Sequence, residues 1–328
     1  MGLFNKILSS NPLLWHFKPN GLYCFNYHRI GDPNFTSYDP NVFSCTEELF
    51  EQHITFYKSN FDIISIEELD KISTSSTKFN HKFAIITFDD GYIDNYQLAY
   101  PLLKSHQTPA VFFIATDFID KDILPWWDEI AYLVKTSNQK TIQLPGWSKA
   151  ITISSSTMSH SIKEVLHTIK LDAAQSMPEK ITMLKRALKI DEHYQTPHEN
   201  LFVSWDMLRE MKNNGMSIGS QSCSHQIMSH LPQSKQRDEA HLSKQRIQQE
   251  LAESISSFAY PVGGKNAFSL TTEKILCDTG YAFGFSFIPG INRMINSNKY
   301  RLKRFSIDNN CSITQLKKQI NKAIIQLK

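Results

Sequence analysis

The chain has 328 residues, 41% of them hydrophobic, with 35 basic and 32 acidic side chains interspersed to a formal net charge of +3. That composition excludes a largely disordered polypeptide and allows a sizeable core, in one large α/β domain or two smaller ones. With no basic block anywhere, nucleic acid is not an expected partner.

In the opening "MGLFNKILSSNPLLWHFKPNG" the apolar run is too short for a signal-peptide core, and no later stretch approaches a membrane span, so a cytoplasmic location is expected. Leu3, Phe4, Ile7, Leu8, Leu13, Leu14, Trp15 and Phe17 crowd beside Lys6 and Lys18. Residues 1–18 therefore suit either peripheral contact with the inner membrane face or a cap on the core. Cys24, Cys45, Cys223, Cys277 and Cys311 lie far apart, without paired spacing, and are odd in number. They read as reduced thiols.

Short apolar segments then alternate with amphipathic helical patterns: "GLYCFNYH", "TEELFEQHITFYKSN", "FDIISI", "KFAIITFDD", "NYQLAYPLLKSH", "PAVFFIAT". Strand and helix in alternation predict a parallel sheet or barrel covered by helices. The rhythm breaks between about residues 121 and 200. There "WWDEIAYLV", "TIQLPGWSKAITIS" and two helical stretches predict a helical insertion with a small hairpin inside one principal domain, 1–328. It resumes with "SWDMLREMKNNG", where Ser204 can cap a helix that Gly215 ends, then "MSIGS", "SSFAYPVG", "TTEKILCDTG" and "YAFGFSF".

In such a fold, chemistry sits where strands end. Asp89 and Asp90 follow "FAIITF" directly, and adjacent residues leaving a strand point in different directions. One can therefore ligate a metal while the other takes a proton from water; the alternative is that Asp90-Gly91 only makes a turn. After "MSIGS" comes "QSCSHQIMSH", in which Gln221 and His225 would share a face if the segment is helical. Imidazole is a good ligand for a divalent transition metal and a neutral amide oxygen a poor one. Trp126, Trp127 and Asp128 follow the strand "AVFFIAT". Their rings could stack on a sugar while the carboxylate accepts hydroxyl hydrogen bonds, or the tryptophans could anchor the insertion. Tyr92, Asn95 and His230 could also line a site or be ordinary polar residues.

"FNYHRIGD", "TFDDGY", "IGSQSCSH" and "FAYPVG", in that order, resemble the polysaccharide deacetylase family, also called the NodB-homology or carbohydrate esterase family four, across roughly residues 20–120 and 200–305. The likeness is greatest to the branch that de-N-acetylates bacterial surface polysaccharides, which has an early Tyr-His pair. It implies a distorted (β/α) barrel of about seven strands and a metal-dependent hydrolase removing N-acetyl groups from a carbohydrate. It also implies a divalent metal, zinc with nickel or cobalt as alternatives, and an N-acetylated sugar or oligosaccharide as partner. Carried over by position, Asp89 is the general base, Asp90 and His225 are metal ligands, and Gln221 stands where the family has a second histidine. Tyr260 stands where many members carry an arginine, so the partner of Asp89 is missing or replaced. Pro261 leads to the backbone N–H of Val262, an oxyanion donor, and His28 is the general acid. The alternatives are a degenerate member that binds carbohydrate or a partner without catalysis, or a deacylase with a different acyl group or a nucleotide-linked sugar.

Overall fold

"GLYCFNY" is apolar at nearly every position, as a strand covered on both faces requires. In the computed structural model, which describes residues 12–191, 194, 200–295 and 298–327, it forms β1 (Gly21–Tyr27) with every residue buried. The further barrel strands are β2 (Asp62–Ile63), β3 (Lys82–Phe88), β4 (Val111–Ile114), β5 (Ser217–Ser220), β6 (Ser257–Ala259), β7 (Phe283–Phe285) and β8 (Arg304–Ser306). Seven of them pair in the order β7-β6-β5-β4-β3-β1-β8, all parallel. β2 lies on the first half of the β3 edge whose second half takes β4. Phe285 bridges Leu302 in parallel just ahead of β8, so the two ends of the sheet meet and the barrel nearly closes. This is the distorted (β/α) barrel that the family resemblance implies.

Helices α1 (Glu47–Lys58), α2 (Ile66–Ser75) and α3 (Tyr100–Ser105) connect the early strands. Thr46 accepts from Leu49 N–H to start α1, and Ser65 and Glu68 form a reciprocal cap on α2. Phe50, His53, Ile54 and Tyr57 make one buried stripe on α1, the spacing of a helix laid on a sheet. Tyr57 stacks on Phe25 of β1 at 4.0 Å and Phe50 meets Tyr27 at 5.0 Å. Each such ring, fully buried, contributes roughly 1.5–3 kcal/mol.

Beyond the insertion, which holds helices α4 (Trp126–Thr136), α5 (Met158–Leu171) and α6 (Met177–Ala187), come α7 (Trp205–Asn213), α8 (Gln233–Leu251), α9 (Leu270–Asp278) and α10 (Ile313–Ile325). Ser204 caps α7 through Met207 N–H, and Gly215 follows it in a left-handed conformation, φ +88°.

The chain divides into two compact units. One holds the barrel, with the chain up to Gly31, Ser44–Lys121 and Phe202 onward; the other holds Asp32–Phe43 and Asp122–Leu201. The second unit is thus made of two stretches far apart in sequence. Within the second unit, a hairpin of Thr141–Ile142 and Ile151–Thr152 stands between α4 and α5. Asp39 N–H donates to Asp128 Oδ1 on α4 at 3.0 Å, which ties the 32–43 segment to that helix. Lys180 on α6 is buried and donates to the carbonyls of Ile169 and Asp172, end groups of α5 that have no partner in their own helix.

Near the N-terminus Trp15 packs against Phe56 and Phe61, with the Lys18 ammonium 3.7 Å above its ring, whereas Phe17 is 73% exposed. Leu3, Phe4, Lys6, Ile7 and Leu8 lie outside the described residues. No helix among the described residues is long and apolar enough to cross a membrane. All five cysteines are free.

Candidate active site

β3 delivers the two aspartates in different ways. Asp89 continues the parallel ladder, its N–H donating to Tyr27 O at 2.9 Å, so its carboxylate stays with the side chains of β1 and β8. Asp90 leaves the ladder with φ +75°, and Gly91 follows at +79°, where an added Cβ would meet Ile114 at 2.9 Å. A left-handed aspartate is strained by about 1–2 kcal/mol, and that conformation turns its carboxylate away from Asp89 and toward β5.

Asp89 is held by Arg304. The guanidinium donates from Nη1 to Oδ1 at 2.7 Å and from Nη2 to Oδ2 at 2.8 Å, a two-pronged contact in which the arginine side chain is fully buried. Its remaining donors go to Ser286 O at 2.8 Å, Thr87 Oγ1 at 3.2 Å and Asn26 Oδ1. Asn26 also donates to Asp89 Oδ2 at 3.2 Å. With Tyr260 in place of the family's arginine, the cation for Asp89 is supplied instead by the last barrel strand.

The 221–225 segment is a loop rather than the helix that would place Gln221 and His225 on one face. Ser222 and His225 both have positive φ, +69° and +54°. Ser222 Oγ accepts from His225 N–H at 3.0 Å, and Ser220 Oγ accepts from Ser222 N–H at 3.1 Å. Glu239 on α8 takes the N–H groups of Cys223 and Ser224 at 2.8 and 2.9 Å and the Ser224 hydroxyl at 2.6 Å. Thus braced, His225 places Nε2 3.1 Å from Asp90 Oδ1. Gln221 Oε1 accepts from Asp90 N–H at 2.7 Å; because an N–H demands an acceptor, this bond fixes which end of the amide faces Asp90.

His28 follows β1 directly. Its Nε2 lies 3.9 Å from Asp89 Oδ2 and its ring meets Phe287 edge-on at 5.7 Å. Its backbone is pinned at both ends: His28 N–H donates to Ser44 Oγ at 2.9 Å, and Asn95 Nδ2 donates to His28 O at 2.7 Å. The neighbouring Asp94 is buried; desolvation raises its carboxyl above the ordinary value, against the opposing pull of Arg29.

At the end of β6, Gly263 N–H donates to Pro261 O at 2.7 Å across Val262, whose φ is +61°. This tight γ-turn is rare, and more so for a β-branched residue. Gly263 O accepts from Phe287 N–H at 2.7 Å, which connects the turn to the residue beside His28. Tyr260 is not a substrate group: its ring stacks on Phe268 at 3.9 Å and its hydroxyl donates to Tyr300 O at 2.7 Å, both inside the core. Trp126 and Trp127 are 8% and 4% exposed within the second unit, and Asp128 is buried on Asp39 N–H. So buried, the two rings offer little face on which a sugar could stack.

The donor set fits a divalent cation in part. Two ligands each about 2.0–2.2 Å from one ion stand roughly 3 Å from each other, the separation found between Asp90 Oδ1 and His225 Nε2. Gln221 adds only an amide oxygen already accepting a hydrogen bond. Among the described residues, no three His, Cys, Asp or Glu side chains gather into a metal-binding group.

These features define a parallel (β/α) barrel with a polar site assembled from the ends of β1, β3 and β5 and secured by a buried arginine from β8. A sequence model described as Polysaccharide deacetylase matches residues 76–284, more than half of the chain, and the protein belongs to that family. It is 34% identical over 98 residues to YxkH of Bacillus subtilis (strain 168), covering 30% of this chain and 33% of that one. To a poly-beta-1,6-N-acetyl-D-glucosamine N-deacetylase of Staphylococcus aureus (strain MSSA476) it is 29% identical over 122 residues, covering 34% and 42%. The matches thus span less than half the length of these relatives. Among solved structures, the Streptococcus pyogenes deacetylase PplD in complex with acetate superposes with a TM-score of 0.59 at 19% identity, covering 92% of this chain and 99% of that one. IcaB from Ammonifex degensii gives 0.59 at 16%, covering 93% and 99%. At these identities the structural likeness speaks to the fold alone.

Proposed function

We propose that the protein is a metal-assisted hydrolase that removes the acetyl group from an N-acetylated sugar in a surface polysaccharide or its precursor. The observation that carries this reading is the convergence of His28, Asp89, Asp90 and His225 from three strand ends, with Asp89 gripped by Arg304. Family membership and the N-deacetylase relatives support the substrate class.

Asp90 and His225 would hold the cation, whose chemistry when bound is to polarise the acetyl carbonyl and make a water more acidic. The residues of the chain supply the rest. Asp89, kept in place by both prongs of Arg304, retains free lone pairs and takes the proton of the attacking water. The N–H of Val262, aimed by its γ-turn, donates to the oxygen that becomes negative as the carbonyl carbon turns tetrahedral. His28 gives its proton to the nitrogen as the C–N bond breaks, releasing amine and acetate; an amide nitrogen leaves poorly without that proton.

A second reading, carbohydrate binding without hydrolysis, is favoured by one observation: the amide of Gln221 is engaged with Asp90 N–H where the family has a histidine. Acetate release from an N-acetylglucosamine tetramer, measured with zinc, nickel or cobalt added, separates the two. The hydrolase reading expects turnover that Asp89→Asn lowers by roughly 10²–10⁴-fold with metal content unchanged. Tight tetramer binding without acetate release under any of these metals selects the binding reading.

A further inference from the structure

We propose that Asp94 and Asn95 are positioning residues that hold His28 in register with Asp89. The inference rests on the hydrolase reading for its consequence and on geometry alone for its existence. Asn95 Nδ2 donates to His28 O at 2.7 Å; Asp94 Oδ1 accepts from Ile30 N–H at 2.9 Å and Oδ2 from Arg29 Nε at 2.8 Å. Two consecutive residues after the Asp-Asp-Gly turn thus grip the three consecutive residues that carry the candidate acid.

Two features show that this grip is obtained against local preference. Asn95 is fully buried, and its Oδ1 has no hydrogen-bond partner among the described residues. Turning the amide over would set oxygen against the His28 carbonyl oxygen, so the structure tolerates an orphan acceptor in order to direct the N–H2 at His28. The segment Asn95–Ala99 is a π-helix, in which Tyr100 N–H reaches back five residues to Asn95 O. Such single π turns are rare and frequently mark functional sites.

The grip is needed because the His28 ring is not itself fixed by a hydrogen bond to any described residue. Among the described residues no side chain hydrogen-bonds either ring nitrogen; Asp89 stands at 3.9 Å and Phe287 offers only its edge. A catalytic histidine is commonly oriented through its second nitrogen. Here orientation comes through the backbone, from Ser44 on the N–H and Asn95 on the carbonyl.

The test is Asn95→Ala in the full chain, with two readouts. In protein labelled with ¹³C-histidine, the His28 ring signal, assigned by its loss in His28→Gln, should shift or broaden while those of His53 and His225 hold. An unmoved His28 signal, or equal movement of all three, overturns the proposal even if the chain hydrolyses nothing. With the N-acetylglucosamine tetramer, kcat should fall about 10–100-fold with KM within twofold. Hydrolysis of 4-nitrophenyl acetate, whose leaving group departs without a proton, should fall at least fivefold less. Equal losses on both substrates would assign Asn95 a merely structural part and refute the positioning role. If the unaltered chain releases acetate from neither substrate, the hydrolase reading fails and the ring signal alone decides the grip.

Discussion

Replacing Arg304 by methionine keeps most of the side-chain volume and removes the charge. The change deletes two charge-assisted hydrogen bonds of 2.7 and 2.8 Å and leaves Asp89, whose side chain is 3% exposed, as a buried carboxylate without its cation. Each such bond contributes roughly 1.5–3 kcal/mol, and breaking a buried ion pair from one side costs about 3–5 kcal/mol, so Arg304→Met should lose about 4 kcal/mol of unfolding free energy. Asp89→Asn leaves the guanidinium its contacts to Ser286 O, Asn26 Oδ1 and Thr87 Oγ1, and should lose about 2 kcal/mol. In the double variant neither charge is left buried alone. Its loss should be about 3 kcal/mol, less than the sum of the singles, for a coupling of about 3 kcal/mol. Urea unfolding followed by circular dichroism on the four proteins measures the cycle. A coupling under about 0.5 kcal/mol would refute the claim that Arg304 is the structural counter-charge of Asp89.

Two more expectations follow from the geometry. Gln221→His exchanges an amide oxygen for an imidazole beside Asp90 and His225, and should raise zinc affinity about tenfold or more in competition with a chromophoric chelator; an unchanged affinity would mean that position 221 does not face the cation. His53, buried between Tyr27 and the Cys311 carbonyl, is held by desolvation at about 4, below its ordinary 6.5. The folded chain therefore accepts this proton less readily than the unfolded one. Stability should fall as pH drops from about 6.5 toward 4, by up to roughly 3 kcal/mol, and be fully present above that window. Unfolding free energies at pH 7.5 and 4.5 should converge in His53→Gln; an undiminished pH dependence would remove His53 as the cause.

Much of the fold was legible because the barrel strands are short apolar runs punctuated by caps: Ser204 and Gly215 bound α7 as their chemistry requires. Asp89 and Asp90 follow a strand directly, which is what raises them as candidates in the sequence, whereas His28 and the roles of His225 and the aspartates come from the family resemblance. Arg304 was missed because its signal is not a motif. In "YRLKRFSID" it is one cation among several, and only the burial of β8 on both sides distinguishes it from Arg301 or Lys303. A strand position just before Phe305 and two residues after Leu302 could have raised the question of which anion it meets. The 221–225 loop was misjudged because spacing cannot reveal left-handed residues; what shapes that loop is Glu239, supplied by a helix further along the chain. The 32–43 segment has no helical or strand period of its own, so nothing in its pattern reveals that Asp39 belongs with Asp128.

The counter-charge of Asp89 lies on β8, the last barrel strand to leave the ribosome. A nascent chain that has emerged only through β7 already contains both aspartates and both histidines, but the pocket around Asp89 still lacks the arginine that makes its burial tolerable. Closure of the barrel by β8 and neutralisation of that carboxylate therefore go together, and neither can precede the synthesis of β8. A chain cut short before Arg304 would carry every motif by which the protein is recognised and still be unable to settle its own active-site acid in place.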